Sequence, residues 1–289
     1  MKLKDQYWDT ILSNKQPFFQ LKLGEVWQSR DLLWLFTKRD IAQLYKQTIL
    51  GPLWFFIQPL LATIVFTIVF GGMAGMPTDG IPPMLFYLSG QIFWMFFAET
   101  LNKSSTTFRD NQAIFGKVYF ARLIVPLSIV INSAIKFGIQ FFLFLIFYFF
   151  FQFVMGAEIH PKAPLLLLPV LLLMTGALGM GVGLIITSMT TKYRDLTFLV
   201  TFGVQLLMFL TPSVIVPVSE FYKKYPAIAP YVVGLNPLTA IIETFKYGFL
   251  GEGAFTWPYF ITSIIMTIII FLTGVLFFNK TEKNFMDVI

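Results

Sequence analysis

Six stretches of this chain are apolar for about twenty residues at a time, and no other feature restricts its folding as much. At 1.5 Å rise per residue, about 20 residues carry a helix across the ~30 Å hydrocarbon core of a bilayer. The stretches lie near 54–73, 81–101, 126–155, 164–189, 197–216 and 257–278. Lipid offers no water to satisfy backbone amides and carbonyls, so spanning segments close their own hydrogen bonds as helices. The expected fold class is all-α, a polytopic membrane protein of six transmembrane helices. The third stretch exceeds what the hydrocarbon requires, which predicts a tilted span or one that begins in the cytosol.

Composition agrees. Only 12% of the 289 residues are charged, 56% are hydrophobic, and the mean hydropathy is +0.73. A soluble domain carries about a quarter charged residues. The chain has no Cys, which excludes disulfides, thiolate metal sites and a cysteine nucleophile. Its one histidine, His160, removes most imidazole chemistry. No cleavable signal is evident, because the first run of spanning length starts near Trp54.

Lysine and arginine give the orientation. The N-terminal arm is rich in them, and Lys103, Arg109, Lys117 and Arg122 follow the second span. Lys192 and Arg194 follow the fourth, and Lys280 and Lys283 the sixth. The opposite loops hold none in the first, Lys162 in the second, and Lys223, Lys224 and Lys246 in the third. The asymmetry predicts both termini in the cytoplasm. It also makes the net charge of +6 a topology signal, so no nucleic-acid partner is expected.

Two regions are neither spans nor simple loops. Past Pro17, residues 31–50 read as a helix with Ile41, Leu44, Tyr45 and Thr48 on one face. Arg39, Gln43, Lys46 and Gln47 occupy the other. The second region, 217–253, is punctuated by Pro226, Pro230 and Pro237. Its later half predicts a short helix with Asn236 as N-cap, Pro237 in the first turn and Gly251 as the stop. Leu238, Ile241, Ile242, Phe245 and Phe249 line its apolar side. About 14 residues cannot cross a bilayer, so this element either lies at the outer surface or dips in and returns. The expected organisation is a 1–30 cytoplasmic extension, a 31–53 interface helix, a 54–278 transmembrane domain and a 279–289 cytoplasmic tail.

Polar residues inside spans are costly and point to function by default. Ser128, Asn132, Lys136 and Gln140 recur every fourth residue on the third span, and Gln58, Gln91, Glu99 and Gln205 sit on others. The alternative is interhelical glue. Lys136 either snorkels to the inner surface or pairs with Glu99. Gly179-x-x-x-Gly183 reads as a face where two helices pack closely. No Gly-x-x-x-x-Gly-Lys-Ser/Thr occurs, so this chain has no P-loop of its own.

Three segments carry a resemblance. They are "RDIAQLYKQTILGPLWFFIQPLL", "YLSGQIFWMFFAETLNKSSTTFRDNQAIFGKVYFARLIVPLS", and "YRDL" followed by "TPSVIVPVS…LNPLTAIIETFKYG". Together, from about Asp31 to Gly251, they resemble the membrane subunit of polysaccharide-exporting ABC transporters, the Wzm-like O-antigen and teichoic-acid permeases. The first ~30 residues are extra to that pattern. Phe-Ala-Arg stands where it usually has Phe-Pro-Arg, which softens the entrance to the third span.

The resemblance implies a transport subunit in the bacterial cytoplasmic membrane rather than an enzyme. It implies a homodimer with two cytosolic ATPase subunits, which would bind the ATP and Mg, no cofactor being expected on this chain. The cargo would be a lipid-linked polysaccharide: O-antigen, teichoic acid or a capsule-like glycan. The 31–50 helix would lie at the inner membrane surface, its apolar face among lipid headgroups, with Gly51-Pro52 permitting the turn into the first span. "RDNQAIFGKVYFAR" would be the coupling helix. Asn111 would cap it, Ile114, Phe115 and Val118 would plug into the ATPase, and Arg109, Asp110 and Lys117 would make polar contacts around them. A solvated positive-inside loop is the alternative.

A pyranose has apolar C–H faces and polar edges, so aromatic rings and amides suit a path along which a glycan slides through weak, multiple sites. Trp54, Gln58, Phe66 and Phe70 on the first span and Phe198, Phe202, Gln205 and Phe209 on the fifth are the candidates, with ordinary helix packing the alternative. Residues 217–251 would form outer gate helices, or else an interfacial loop belted by Tyr222, Tyr225, Tyr231 and Tyr247. Rival functions are an exporter of drugs or simple lipids, a membrane enzyme and a secondary transporter. The enzyme lacks an acid–base constellation, and the secondary transporter would show repeated halves, which the chain does not.

Overall fold

The computed structural model describes residues 23–46, 49–117, 120–190 and 195–288. Gln47, Val118 and most of the 1–30 extension lie outside the described residues, as does the side chain of Lys46. Every regular element among the described residues is a helix. The chain opens with α1 (Leu23–Gln28) and α2 (Arg30–Lys46). Gly51 takes a left-handed φ of +50°, which costs a glycine little, and a short 3₁₀ turn then enters α3 (Trp54–Phe66). The last stretch of that span, Thr67–Met73, widens into a π-helical turn.

A central helix follows, α4 (Pro83–Ser104), then two single turns, α5 (Thr107–Asp110) and α6 (Gln112–Phe115). Next come the 30-residue α7 (Ile124–Phe153), α8 (Leu168–Thr190) and α9 (Leu196–Phe209). Four shorter helices form the far end: α10 (Pro212–Ile215), α11 (Val218–Lys224), α12 (Ala229–Gly234) and α13 (Pro237–Leu250). The last helix, α14 (Trp257–Val288), runs on through the stretch expected to be a separate tail.

Five helices among the described residues have the length and apolarity to cross a membrane: Gly51–Met73, Pro83–Ser104, Ile124–Phe153, Ala163–Thr190 and Trp257–Glu282. The molecule is a multi-pass membrane protein. The expected fifth run, 197–216, differs. Its helix α9 has 14 residues, about 21 Å at 1.5 Å each, short of the hydrocarbon core. Pro212 is the cause. A residue before proline is pushed out of the helical region, and Thr211 sits at φ −114°, ψ 85°. The helix ends there and α10 starts afresh.

Packing centres on α4, in which Leu85, Phe86, Tyr87, Leu88, Ile92 and Phe93 are at most 2% exposed. By contrast α3 buries only Pro59 and Thr63. The Gly179/Gly183 face of α8 lies directly on α4. A Cβ built at Gly183 would stand 2.5 Å from the Ser104 Cβ, and one at Gly179 would stand 3.0 Å from the Phe97 carbonyl. On the opposite side of α8, Gly181 meets Gly274 of α14 backbone to backbone. Two apolar cores result. The larger joins α4, α7, α8 and α13. The smaller closes the end that carries α2, α5 and α6, where Phe108 stacks on Phe278 at 4.5 Å.

The amphipathic reading of 31–50 gains a partner for its apolar face. Arg39 and Gln43 are exposed as expected, and Leu33, Phe36 and Thr37, which pack, continue the face of the half-buried Ile41; the side chains of Leu44, Tyr45 and Thr48 lie outside the described residues. Phe36 meets Phe120 at 5.8 Å, so α2 is docked on the protein and not on lipid alone. Trp27 and Trp34 point outward, beneath Arg30 and Lys38 respectively.

At the far end α13 has the expected boundaries. Asn236 Oδ1 accepts from the Leu238 amide at 3.1 Å, and Gly251 stops the helix at φ +80°. α13 is packed inside the protein. Leu238, Ile241, Ile242 and Phe245 are at most 2% exposed, and its polar residues Glu243 and Lys246 are buried as well. Of the belt tyrosines, Tyr222, Tyr225 and Tyr231 are exposed, while Tyr247 stacks on Phe255.

Candidate functional site

Three helices place chemistry on one face by the same spacing. Residues four apart lie one above the other on a helix. On α3 the series is Trp54, Gln58, Ala62 and Phe66; on α4 it is Gln91, Met95, Glu99 and Lys103; on α7 it is Lys136 and Gln140. All ten line a single cavity of about 740 Å³, completed by Trp94, Phe55, Ala98 and by Met208 of α9. That size lies in the range of small-ligand clefts.

The cavity is graded along its length. From Gln91 to Lys103 is about 18 Å of helix α4. The charged end lies toward α2 and the α5–α6 loop: Lys103 and Lys136 both engage the Glu99 carboxylate, Lys103 at 2.7 Å. Of the two readings of Lys136, the structure takes the pairing one. Its side chain is 12% exposed and its ammonium also stands 5.1 Å from the centre of the Phe55 ring. Deeper in, Gln91 and Gln140 present amides among Trp94, Phe66 and Met95, and Gln140 Nε2 lies 3.8 Å from the Met95 sulfur. One turn from Lys136 toward the start of α7, Asn132 Nδ2 donates to Asp40 of α2 at 3.4 Å. The polar stripe of α7 therefore faces inward throughout.

Of the pathway candidates, the structure brings Trp54, Gln58 and Phe66 into this cavity. Phe70 stands apart: it packs edge-on to Phe66 at 5.2 Å and beside Tyr87 at 6.4 Å. Phe198, Phe202, Gln205 and Phe209 do share one face of α9, but that face is exposed and turned away from the chain's own bundle. Val200, Val204, Leu207 and Met208 are the α9 residues that pack inward, and Met208 reaches the cavity. Sequence reading missed Trp94, Met95 and Lys103. The fourfold spacing running through Gln91 and Glu99 was the signal that could have found Met95 and Lys103; Trp94 lies off that series.

The α5–α6 loop is built differently from expectation. Asn111 stands at the N-cap position of α6, yet its side chain does not cap. Its Nδ2 instead donates back to the Thr107 carbonyl at 3.0 Å, closing the end of α5. Phe115 is 2% exposed, packed among Phe108, Phe120 and the Arg122 guanidinium, so it closes the loop's own core and is not free to plug into a partner. Ile114 is half-buried beside it. Arg109, Asp110 and Lys117 are exposed, with Arg109 paired to Asp110 at 2.8 Å and donating to Thr197 of α9 at 3.3 Å. The loop is thus tied to the start of α9.

The chain's relatives match this arrangement in extent. The family described as "ABC-2 type transporter" matches residues 31–250. A Klebsiella pneumoniae protein named "O-antigen export system permease protein RfbA" is 26% identical over 264 residues, covering 90% of this chain and 95% of the relative. A second Klebsiella pneumoniae protein of that name is 25% identical over 263 residues, with the same coverage. One from Myxococcus xanthus is 23% identical over 222 residues, covering 77% and 81%.

Proposed function

This chain belongs to the ABC-2 type transporter family, and from that premise we propose that it is the permease subunit of an ATP-driven exporter of lipid-linked polysaccharide in a bacterial inner membrane. The observation that carries the cargo class is the graded cavity. Indole and phenyl faces at Trp54, Phe66 and Trp94 alternate with amides at Gln58, Gln91 and Gln140, the pairing that a sugar's apolar faces and polar edges call for. Sites of this kind are individually weak, which conduction requires.

Two copies of the chain complete the path in this reading. The walls that one copy leaves open are the exposed faces of the first span, with Leu61, Val65 and Ile68, and of α9, with Phe198, Phe202 and Phe209. A second copy would cover them. ATP and Mg would be bound by two cytosolic ATPase subunits seated against the exposed edge of the α5–α6 loop, Arg109, Asp110 and Lys117, and against the Arg39–Gln43 side of α2. Docking of α2 on α7 through Phe36, Asp40 and Asn132 gives a push at the surface a route into the cavity wall.

The test is reconstitution of the chain with its cognate ATPase in inverted proteoliposomes. Lipid-linked glycan is expected to become enclosed only with hydrolysable ATP. Uptake without the ATPase subunit, or ATP turnover indifferent to the glycan while a simple lipid is moved instead, would overturn the reading.

A further inference from the structure

We propose that the charged end of the cavity is a phosphate subsite: Lys103 and Lys136 receive the phosphate linkage of the amphiphilic cargo, and Glu99 is the resident counter-ion that gives way to it. This rests on the export reading above and adds to it the group by which the cargo is first held.

The observation is a placement of charge. Two ammonium groups and one carboxylate meet at one oxygen, Glu99 Oε1, in a pocket whose other walls are uncharged: aromatic rings, amides, methionines and alanines. The three charges sum to +1, so the pocket holds one more cation than Glu99 can neutralise. Glycan recognition gives no reason for that excess, since neutral sugar edges are met by the glutamines deeper in. An anion does, and lysine is a point-charge binder suited to phosphate oxygens.

Depth agrees. Lys103 is one residue from the end of α4 at Ser104, where the span reaches the headgroup boundary, and Glu99 is one turn inside it. A molecule anchored by a hydrocarbon chain carries its phosphate at that level and its sugars beyond. Trp54, at the very start of α3 and next to the turn at Gly51, lines the pocket. Lys136, only 12% exposed, forms the inner wall of the subsite, and Lys103, 47% exposed, forms its rim.

The geometry makes an unusual prediction for Glu99. Were the trio only a structural ion cluster, Glu99→Gln would strand two ammonium groups and weaken everything. As a displaceable counter-ion, its removal frees both lysines for the ligand.

The full chain in phosphatidylcholine nanodiscs would be titrated with a polyprenyl diphosphate, the matching polyprenyl alcohol, phosphatidylglycerol and inorganic pyrophosphate. Binding is read from tryptophan emission, since Trp54 and Trp94 line the pocket. The polyprenyl diphosphate is expected to bind at least about tenfold more tightly than the alcohol. Lys103→Gln with Lys136→Gln removes that difference, Lys103→Arg retains it, and Glu99→Gln tightens diphosphate binding several-fold. Thermal midpoints in the same discs show which variants are folded. Equal binding of the alcohol, or weaker diphosphate binding in a folded Glu99→Gln variant, overturns the subsite. So does binding of phosphatidylglycerol or inorganic pyrophosphate as tight as that of the polyprenyl diphosphate. ATP-dependent glycan uptake that persists unchanged in the lysine variants would sink this inference and leave the export reading intact.

Discussion

Arg122, at the threshold of α7, holds Glu282, near the end of α14. Its Nη1 donates to the Glu282 carbonyl at 2.9 Å, and its Nε lies 3.9 Å from the carboxylate, with both side chains under 20% exposed. The same guanidinium lies 5.6 Å from the centre of the Phe115 ring. One side chain thus gathers the first turn of the third span, the last helix and the loop expected to meet the ATPase. Arginine suits this because its planar fork serves several partners in fixed geometry, which lysine cannot do.

Arg122→Ala is therefore expected to remove the bond to the Glu282 carbonyl and the contact with the Phe115 ring, and to cost about 1–2 kcal/mol. Thermal unfolding in detergent should show the loss. Arg122→Lys should recover only part of it. A midpoint unchanged by Arg122→Ala would mean the contact is incidental.

Helix packing makes a second prediction. A Cβ at Gly183 would press on the Ser104 Cβ and stand 2.9 Å from the Leu101 carbonyl, and a backbone carbonyl cannot swing aside. Gly183→Val should separate α8 from α4 and destabilise by about 3 kcal/mol or more, seen as loss of monodisperse protein. Gly138 on α7 meets nothing within 4 Å. Gly138→Ala should instead stabilise by up to about 1 kcal/mol through helix propensity alone.

Asn236 does two jobs that substitution can separate. Its oxygen caps α13, and its Nδ2 donates to the Leu210 carbonyl at 3.2 Å and the Thr211 hydroxyl at 3.0 Å, tying α13 to the break after α9. Asn236→Asp keeps the cap and loses the donor; Asn236→Ala loses both. The alanine variant should unfold about 1–2 kcal/mol more easily than wild type, with aspartate between them. Equal loss in both variants would assign the whole effect to the tie.

These residues also show what a sequence can disclose. The cap and stop of α13 were legible because Asn236, Pro237 and Gly251 act locally, through their own backbone preferences. Its burial was not, because that depends on α4, α8 and α14 closing around it. On α3, fourfold spacing brought Trp54, Gln58 and Phe66 to one cavity. It failed at Phe70, where the π turn of Thr67–Met73 changes the angle per residue and resets the face. On α9 the shared face was right and its direction was not. Both sides of that helix carry apolar residues, Val204 and Met208 inward and Phe198, Phe202 and Phe209 outward, so apolarity alone does not tell the wall facing its own bundle from the opposite one. Phe115 failed for a related reason: a ring that closes its own loop and a ring that seats in a partner are the same residue type in the same short segment.

The buried carboxylate of Glu243 gives the last prediction. Its two oxygens accept from different segments: Oε1 from the Ser213 hydroxyl of α10 at 2.7 Å, and Oε2 from the Ala254 amide, beyond α13, at 2.7 Å. Lys246, one turn along, donates to the Ser213 carbonyl at 2.6 Å and sits 3.2 Å from the centre of the Phe86 ring. Two accounts of Glu243 are possible, a staple between segments or a counter-charge for Lys246, and they order the variants differently. In Glu243→Gln the amide oxygen still accepts from Ala254. The Ser213 hydroxyl can turn to accept from the new NH₂ and donate toward the Thr239 carbonyl, already 3.5 Å away. Glu243→Leu keeps the bulk but strands the Ala254 amide and leaves the Ser213 hydroxyl without its carboxylate, at about 1–3 kcal/mol for each unsatisfied group. If the staple is what matters, Gln should unfold close to wild type and Leu well below it. If the counter-charge is what matters, Gln should fall as far as Leu, because both remove the negative charge beside Lys246. Thermal midpoints and protease cleavage of the 250–256 segment, measured on the three proteins side by side, separate the two. The expected order is wild type and Gln together, with Leu below.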